Sequence, residues 1–269
     1  MKSFLSAVFI FVVMVFNSRA VTYTNGFICG SNLISNPLGV GIYTLIPYPQ
    51  EFLTLIKWNQ ANESFDEYYA WFLGAWSPGD PTLARGESAV LVPSQDPDYT
   101  FHRCPPTNTV TGTQIVPVLP IAFMRNTYRA LSRQNLDPGS YENIVGLPPE
   151  KGSKFIRYER VTQAWVTNTF NGVTWSGGAT AATMGEGVLI YFPPLPLVLT
   201  NLVYSPGGGG SFAMQVIGTS NVLTRVQCST NLNSTNWFTV TNYAPPTGTF
   251  HYTTNGVGTA SVRFYRATY

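Results

Sequence analysis

The sequence predicts an all-β protein: tandem duplicated β-sandwich or β-rich repeats, followed by a small Ig-like antiparallel β-sandwich. Three observations predict this. The chain of 269 residues carries 24 Gly and 20 Pro but only 10% charged residues, with 14% aromatics. That is the composition of strands broken by many turns. A segment is also written twice. "WSPGDPTLARGESAVLVP" begins at Trp76 and "WSGGATAATMGEGVLIYFP" at Trp175, 99 positions on, and in both a Gly-Glu pair begins ten positions after the Trp. Finally, short strand-like runs follow one another at regular spacing after Phe192, with turn residues between them, which is the pattern of a sandwich.

Residues 1–20, "MKSFLSAVFIFVVMVFNSRA", read as a signal peptide. Lys2 precedes an apolar run from Phe4 to Phe16, and Ser18 and Ala20 are the small residues of a cleavage site between Ala20 and Val21. The run is too short to span a bilayer. The expected protein is secreted or held at the cell surface, or periplasmic where export stops there. Cleavage removes Lys2 and Arg19 from the 15 Lys+Arg, leaving 13 against 13 Asp+Glu. A neutral chain without a basic stripe argues against a nucleic-acid partner. No later stretch is apolar for long enough to form a membrane-spanning helix.

The first repeat is expected over 21–94. It contains "SNLISNPL", then "TLIKWN", then "FDEYYAWFLGAW", then "GESAVLVP". In "LIKWN", Ile56 and Trp58 alternate with Lys57, so the apolar pair shares one face of a half-buried strand and the basic residue takes the other. Residues 95–193 are expected to hold connecting strands, "YTFHRC" and "TQIVPVLP", and then the second repeat. There "KFIRYE" lies 100 positions after "TLIKWN" and writes the same alternation with Ile156, Arg157 and Tyr158. Residues 194–269 form the last unit, with strands in "LVLTNLVY", "FAMQVIG", "VLTRVQCST", "NWFTVTNY", "GTFHYTT" and "SVRFYRATY".

Within that last unit, Ser229, Thr230, Asn231 and Leu232 form a turn after a strand, Trp237 follows, and Phe264, Tyr265 and Arg266 nearly close the chain. These residues resemble a C-terminal β-sandwich module of exported β-rich proteins from Verrucomicrobia and Planctomycetes. Two departures are a second Ser-Thr-Asn at Ser234 to Asn236, which lengthens the turn, and Cys228 where the pattern has a smaller residue. The front half, with "SNLISNPL", "LIKWN" and the Gly-Glu turn, is similar to proteins of the same group. The resemblance implies fold class and compartment, and no activity.

Several residues are candidates for chemistry. Glu87 and Glu186 stand at matching places in the two repeats. Paired carboxylates can perform glycoside hydrolysis. The preferred reading is structural: each follows a Gly in a turn and accepts backbone N–H groups where a strand begins. The aromatic run "YYAWFLGAW" offers Tyr69 and Trp71 on one strand face as a ligand-binding platform. Trp71 lacks a clear counterpart in the second copy and is the residue expected to be exposed. Of three cysteines, Cys29 and Cys104 flank the first repeat and are the candidate disulfide, while Cys228 reads as a buried free thiol. His102 and His251 have no second ligand nearby in sequence. Carboxylates cluster weakly at Glu63, Asp66 and Glu67 and again at Asp96 and Asp98; "QDPDYT" could lend oxygens to calcium but lacks the ligand count of a dedicated loop and reads as a solvated turn. No metal site and no cofactor are expected. The expectation is a non-enzymatic exported protein acting in cell-surface or matrix assembly or adhesion, with itself or other surface proteins as partners. The alternative is a polysaccharide-binding protein with an aromatic platform. A glycoside hydrolase using Glu87 and Glu186 ranks third.

Overall fold

A computed structural model describes residues 19–25, 27, 30–93, 108–114, 117–134, 139–178, 180–205, 210–233, 235–255 and 263–269. Strand accounts for 51% of the chain and helix for 4%, so the protein is all-β, as the composition predicts. The apolar signal-like run, Cys29, Cys104, His102, Asp96 and Asp98 lie outside the described residues.

The first sheet has five antiparallel strands. In chain order they are β2 (Asn32–Ser35), β3 (Thr54–Asn59), β4 (Ser64–Phe72), β5 (Ala75–Ser77) and β6 (Ser88–Val92), and in space the order is β2-β6-β3-β4-β5. A one-turn helix, α1 (Ile42–Leu45), buries Ile42 and Leu45 against it. A two-stranded ribbon of β1 (Arg19–Asn25) and β7 (Asn108–Gln114) also covers this core, with Tyr23 opposite Val110 and both buried. The first unit therefore extends past the boundary expected at residue 94, and its first strand begins at Arg19, two residues before the expected start at 21. The connecting strand itself differs from expectation: it occupies "NTVTGTQ", while 117–120 are irregular. Pro117 and Pro120 have no N–H to donate to a ladder.

The second sheet uses β8 (Thr127–Leu131), β10 (Lys154–Glu159), β11 (Ala164–Thr169) and β13 (Val188–Phe192) in the order β8-β13-β10-β11. This matches β2-β6-β3-β4, strand for strand. A small ribbon of β9 (Gly139–Ser140) and β12 (Ala181–Ala182) sits beside it. The short helix α2 (Tyr141–Val145) is capped by Ser140 Oγ, which accepts the Asn143 N–H, and is stopped by the left-handed Gly146 at φ 83°. The core on this side comprises Phe155, Val188, Ile190, Phe192 and Ile144. Burial along β13 alternates strictly, as a period-two strand requires.

The two sheets meet edge to edge and exchange contacts reciprocally. Ile34 of β2 bridges to Glu186, and Glu87 bridges to Leu131 of β8. The Ser35 N–H donates to Gly185 O at 3.0 Å, and the Ser132 N–H donates to Gly86 O at 2.8 Å. Gly187 lies so close to the partner unit that a Cβ there would meet Ser88 Oγ at 2.5 Å. The β3–β4 and β10–β11 turns cross over as well. Glu63 Oε2 accepts the Tyr128 N–H at 3.1 Å, and Gln163 Oε1 accepts the Ser31 N–H at 2.8 Å. Glu63 and Gln163 both have left-handed backbones, at φ 49° and 52°.

The last unit has two three-stranded sheets. β14 (Val198–Ser205), β15 (Ser211–Ile217) and β18 (Thr249–Asn255) pair as β14-β15-β18, while β16 (Thr224–Ser229), β17 (Phe238–Tyr243) and β19 (Phe264–Thr268) pair as β17-β16-β19. Met214, Val216 and Val226 are buried between them, flanked by Phe212, Tyr252 and Tyr265. Tyr269 ties the unit's end to its beginning, its hydroxyl donating to Leu195 O at 2.5 Å and accepting the Thr219 N–H at 2.9 Å. Cys228 is a free thiol, half-buried where full burial was expected. Its cross-strand neighbour Phe238 is 69% exposed and covers it incompletely.

Candidate functional site

The Gly-Glu corners are positioned by the start of β6 and of β13. Gly86 and Gly185 have φ of 79° and 78°, a left-handed turn that glycine adopts without strain. Each turn aims the following carboxylate back at its own backbone. Glu87 Oε2 accepts the Ala84 N–H at 2.7 Å, and Glu186 Oε2 accepts the Thr183 N–H at 2.8 Å and its hydroxyl at 2.9 Å. The basic residue of the neighbouring strand then reaches each corner. Arg157 grips Glu186 with two prongs, Nε to Oε1 at 2.9 Å and a terminal nitrogen to Oε2 at 3.3 Å. Lys57 Nζ stands 3.9 Å from Glu87 Oε2. Alternation along β3 and β10 explains this. Leu55 and Phe155 enter the cores, so Lys57 and Arg157, two residues on, share that side and meet the corners.

The opposite faces of β3 and β10 meet each other. Ile56 and Trp58 turn away from the first core, and Tyr158 takes the matching place on β10. Across the ladder, Trp58 pairs with Phe65 and Tyr158 with Trp165. Trp58 meets Phe65 edge-on with centroids 5.0 Å apart, and Tyr158 meets Trp165 edge-on at 5.1 Å. Phe65 and Trp165 stack on one another between the units, 6.2 Å apart and 19° from parallel. Four rings thus form a continuous row, two from each unit. Beside it lies a cleft of about 310 Å³, lined by Ser31, Ile56, Phe65, Val90, Val92, Tyr158 and Trp165. None of these residues is charged. Trp165 is 44% exposed and is the ring most open to a ligand.

Tyr69 and Trp71 do not form the exposed face expected of them. Both side chains turn inward and pack against the first core. Trp71 meets Trp76 and Tyr43 edge-on, at 5.6 Å and 6.1 Å. The ribbon of β1 and β7 together with α1 closes that face, which the local sequence does not reveal. The exposed aromatics of β4 are Tyr68 and Phe72, on the other side. The pairing of Phe65 with Trp165 was missed because they lie 100 positions apart and come together only when the units dock. Their matching position in the two copies was the available signal.

The remaining candidates are scattered. Asp66 Oδ2 accepts hydrogen bonds from Asn62 Nδ2 at 2.6 Å and Ser64 Oγ at 3.0 Å, and these hold its carboxyl below the usual carboxylate range. Glu67 lies exposed next to it in β4. His251 lies exposed on β18. Among the described residues no three His, Cys, Asp or Glu side chains gather as a metal site would need, and no helix is long and apolar enough to cross a membrane. No family model, curated protein or solved structure matches the chain.

Proposed function

We propose that the chain is an exported, non-enzymatic protein of the cell surface or extracellular matrix that adheres by holding a glycan in the aromatic cleft between its first two units. The observation that carries this reading is the four-ring row of Trp58, Phe65, Trp165 and Tyr158 beside an uncharged cleft of about 310 Å³. Sugar rings present faces of C–H groups that lie well on aromatic planes, and an indole adds a polar N–H to its apolar body. A cleft of this size takes one or two sugar rings. The signal-like N-terminus and the balanced charge of 21–269 support an extracellular setting. A glycan array probed with residues 21–269 tests the reading. Wild type should retain at least one polysaccharide class, and Trp165→Ala should lose most of that signal. An array on which both proteins give the same pattern, or on which neither binds, removes it.

A second reading, assembly with further copies, is favoured by one observation. The edge strands β14 and β17 contain no charged residue, and they expose Leu202, Val203 and Tyr204, and Phe238, Val240 and Tyr243. Uncharged edges with apolar side chains are able to pair with other strands. Light scattering during size-exclusion chromatography decides it: a strict monomer over a wide concentration range rules assembly out. Weighing against hydrolysis by Glu87 and Glu186 is the condition of Glu186. It is 4% exposed, and both of its oxygens are taken up by Arg157 and Thr183. A hydrolytic carboxyl needs an open face for substrate or water.

A further inference from the structure

The two Gly-Glu corners match in sequence but differ in how they are closed. At Glu186 the guanidinium of Arg157 fills the space and both carboxylate oxygens are satisfied. At Glu87 the matching residue is a lysine, its Nζ lies 3.9 Å away, beyond hydrogen-bond range, and Glu87 remains 45% exposed. The Lys57 side chain is only 15% exposed, and among the described residues none forms a hydrogen bond with its ammonium. An ammonium has three donors to place, and here they face solvent or an incoming acceptor, not an oxygen of the chain. Beside it is a cleft of about 80 Å³, bordered by Lys57, Trp58, Gln60, Glu87 and Arg129. Arg129 brings a second positive charge and uses one guanidinium nitrogen on Ala122 O. Lys57 and Arg129 against Glu87 leave this cleft with a net positive charge. Trp58 borders it, and the same ring meets Phe65 of the aromatic cleft at 5.0 Å. The two clefts have no lining residue in common, and Trp58 alone, at the end of the row of rings, connects them, so a ligand holding both must pass around that ring.

We propose that the cleft at Lys57 and Arg129 is a subsite for an anionic group, a carboxylate or sulfate carried on a glycan, so that the ligand of the aromatic row is an acidic oligosaccharide. This rests on the glycan reading above. The ring of the sugar lies on the aromatic row, and its anion completes the ammonium of Lys57, as the guanidinium of Arg157 completes the other corner from within the chain. Charge-assisted hydrogen bonds of this kind are stronger than neutral ones.

Calorimetric titration of residues 21–269 tests the proposal with tetragalacturonate, its methyl ester, a chondroitin sulfate tetrasaccharide, and free sulfate. The ester keeps the sugar skeleton and removes the charge. Expected is binding of at least one acidic tetrasaccharide about tenfold or more tighter than the ester. Lys57→Met should bring the acid down to the level of the ester, and Lys57→Arg should restore it. The two acids distinguish carboxylate from sulfate. Unchanged circular dichroism and melting temperature establish that Lys57→Met is folded. Equal binding of acid and ester, or an acid titration untouched by Lys57→Met, overturns the anionic subsite and leaves the glycan reading intact. Free sulfate binding as tightly as the tetrasaccharides through Lys57 also overturns it, since the glycan would then contribute nothing. Failure of every acidic and neutral glycan, here and on the array, overturns both.

Discussion

Replacing Arg157 by methionine should destabilise the protein by about 3 kcal/mol, whereas replacing Lys57 by methionine should change stability by less than about 1 kcal/mol. The two residues hold matching places on β10 and β3, so the contrast isolates the environment. The Glu186 side chain is 5% exposed and takes two hydrogen bonds from Arg157. Without Arg157 a buried carboxylate keeps only Thr183 as a donor, and breaking one side of a buried pair is worth about 3–5 kcal/mol. The lower end applies because the Arg157 side chain is itself 37% exposed, which lets water reach the gap. Glu87 is 45% exposed and 3.9 Å from Lys57, so water already serves it. Urea unfolding of residues 21–269, followed by tryptophan fluorescence, measures both. Five of the six tryptophans, Trp58, Trp71, Trp76, Trp165 and Trp175, lie in the first two units, and Trp237→Phe in every variant restricts the signal to the part perturbed. The cycle of Arg157→Met with Glu186→Gln should show coupling of more than about 1 kcal/mol, because the residues touch. Equal losses for Arg157→Met and Lys57→Met would refute the account of the two corners.

Trp71→Ala should destabilise by about 3 kcal/mol through loss of core packing, while Trp165→Ala should change stability by about 1 kcal/mol and act chiefly on ligand binding; similar unfolding midpoints for the two would contradict their assignment to core and cleft. The Tyr23 hydroxyl is buried without a hydrogen-bond partner among the described residues, and burial raises its pKa well above the ordinary tyrosine value. A raised folded pKa means stability is complete below the unfolded value of about 10 and falls as pH climbs past it. Tyr23→Phe should therefore flatten the alkaline fall in melting temperature and leave neutral stability equal or higher by about 1 kcal/mol; an unchanged alkaline profile counts against it. Asp66 has a lowered pKa, so its contribution is present above the unfolded value of about 3.9 and is lost as pH drops through the lower folded value. Asp66→Asn should remove that part of the acid-side loss, as melting scans between about pH 2 and pH 5 would reveal.

Much of the site was written locally. The alternation in "LIKWN" and "FIRYE" separated the aromatic residue from the basic one because a strand's side chains alternate whatever lies around it, but it did not show that the basic residues share the core side with Leu55 and Phe155. The corner turns at Gly86 and Gly185 could be read from the Gly-Glu pair, since a left-handed backbone asks for glycine wherever it occurs. What local pattern could not supply was the identity of the covering layer. Tyr69 and Trp71 were placed on one face, but which face meets solvent depends on the ribbon of β1 and β7, assembled from residues about ninety positions apart. The same holds for Lys57: neither its place on the core side beside Leu55 nor its role at the Glu87 corner was legible.

By itself the sequence determined the class of structure, the turns and the two-faced character of each strand, because these follow from backbone sterics and side-chain periodicity over a few residues. Only the tertiary structure decided which aromatic rings are covered and which form a cleft, and why one acidic corner is sealed while its counterpart stays open. Those outcomes depend on how two sheets dock, and docking is set by the summed fit of surfaces that lie far apart in the chain.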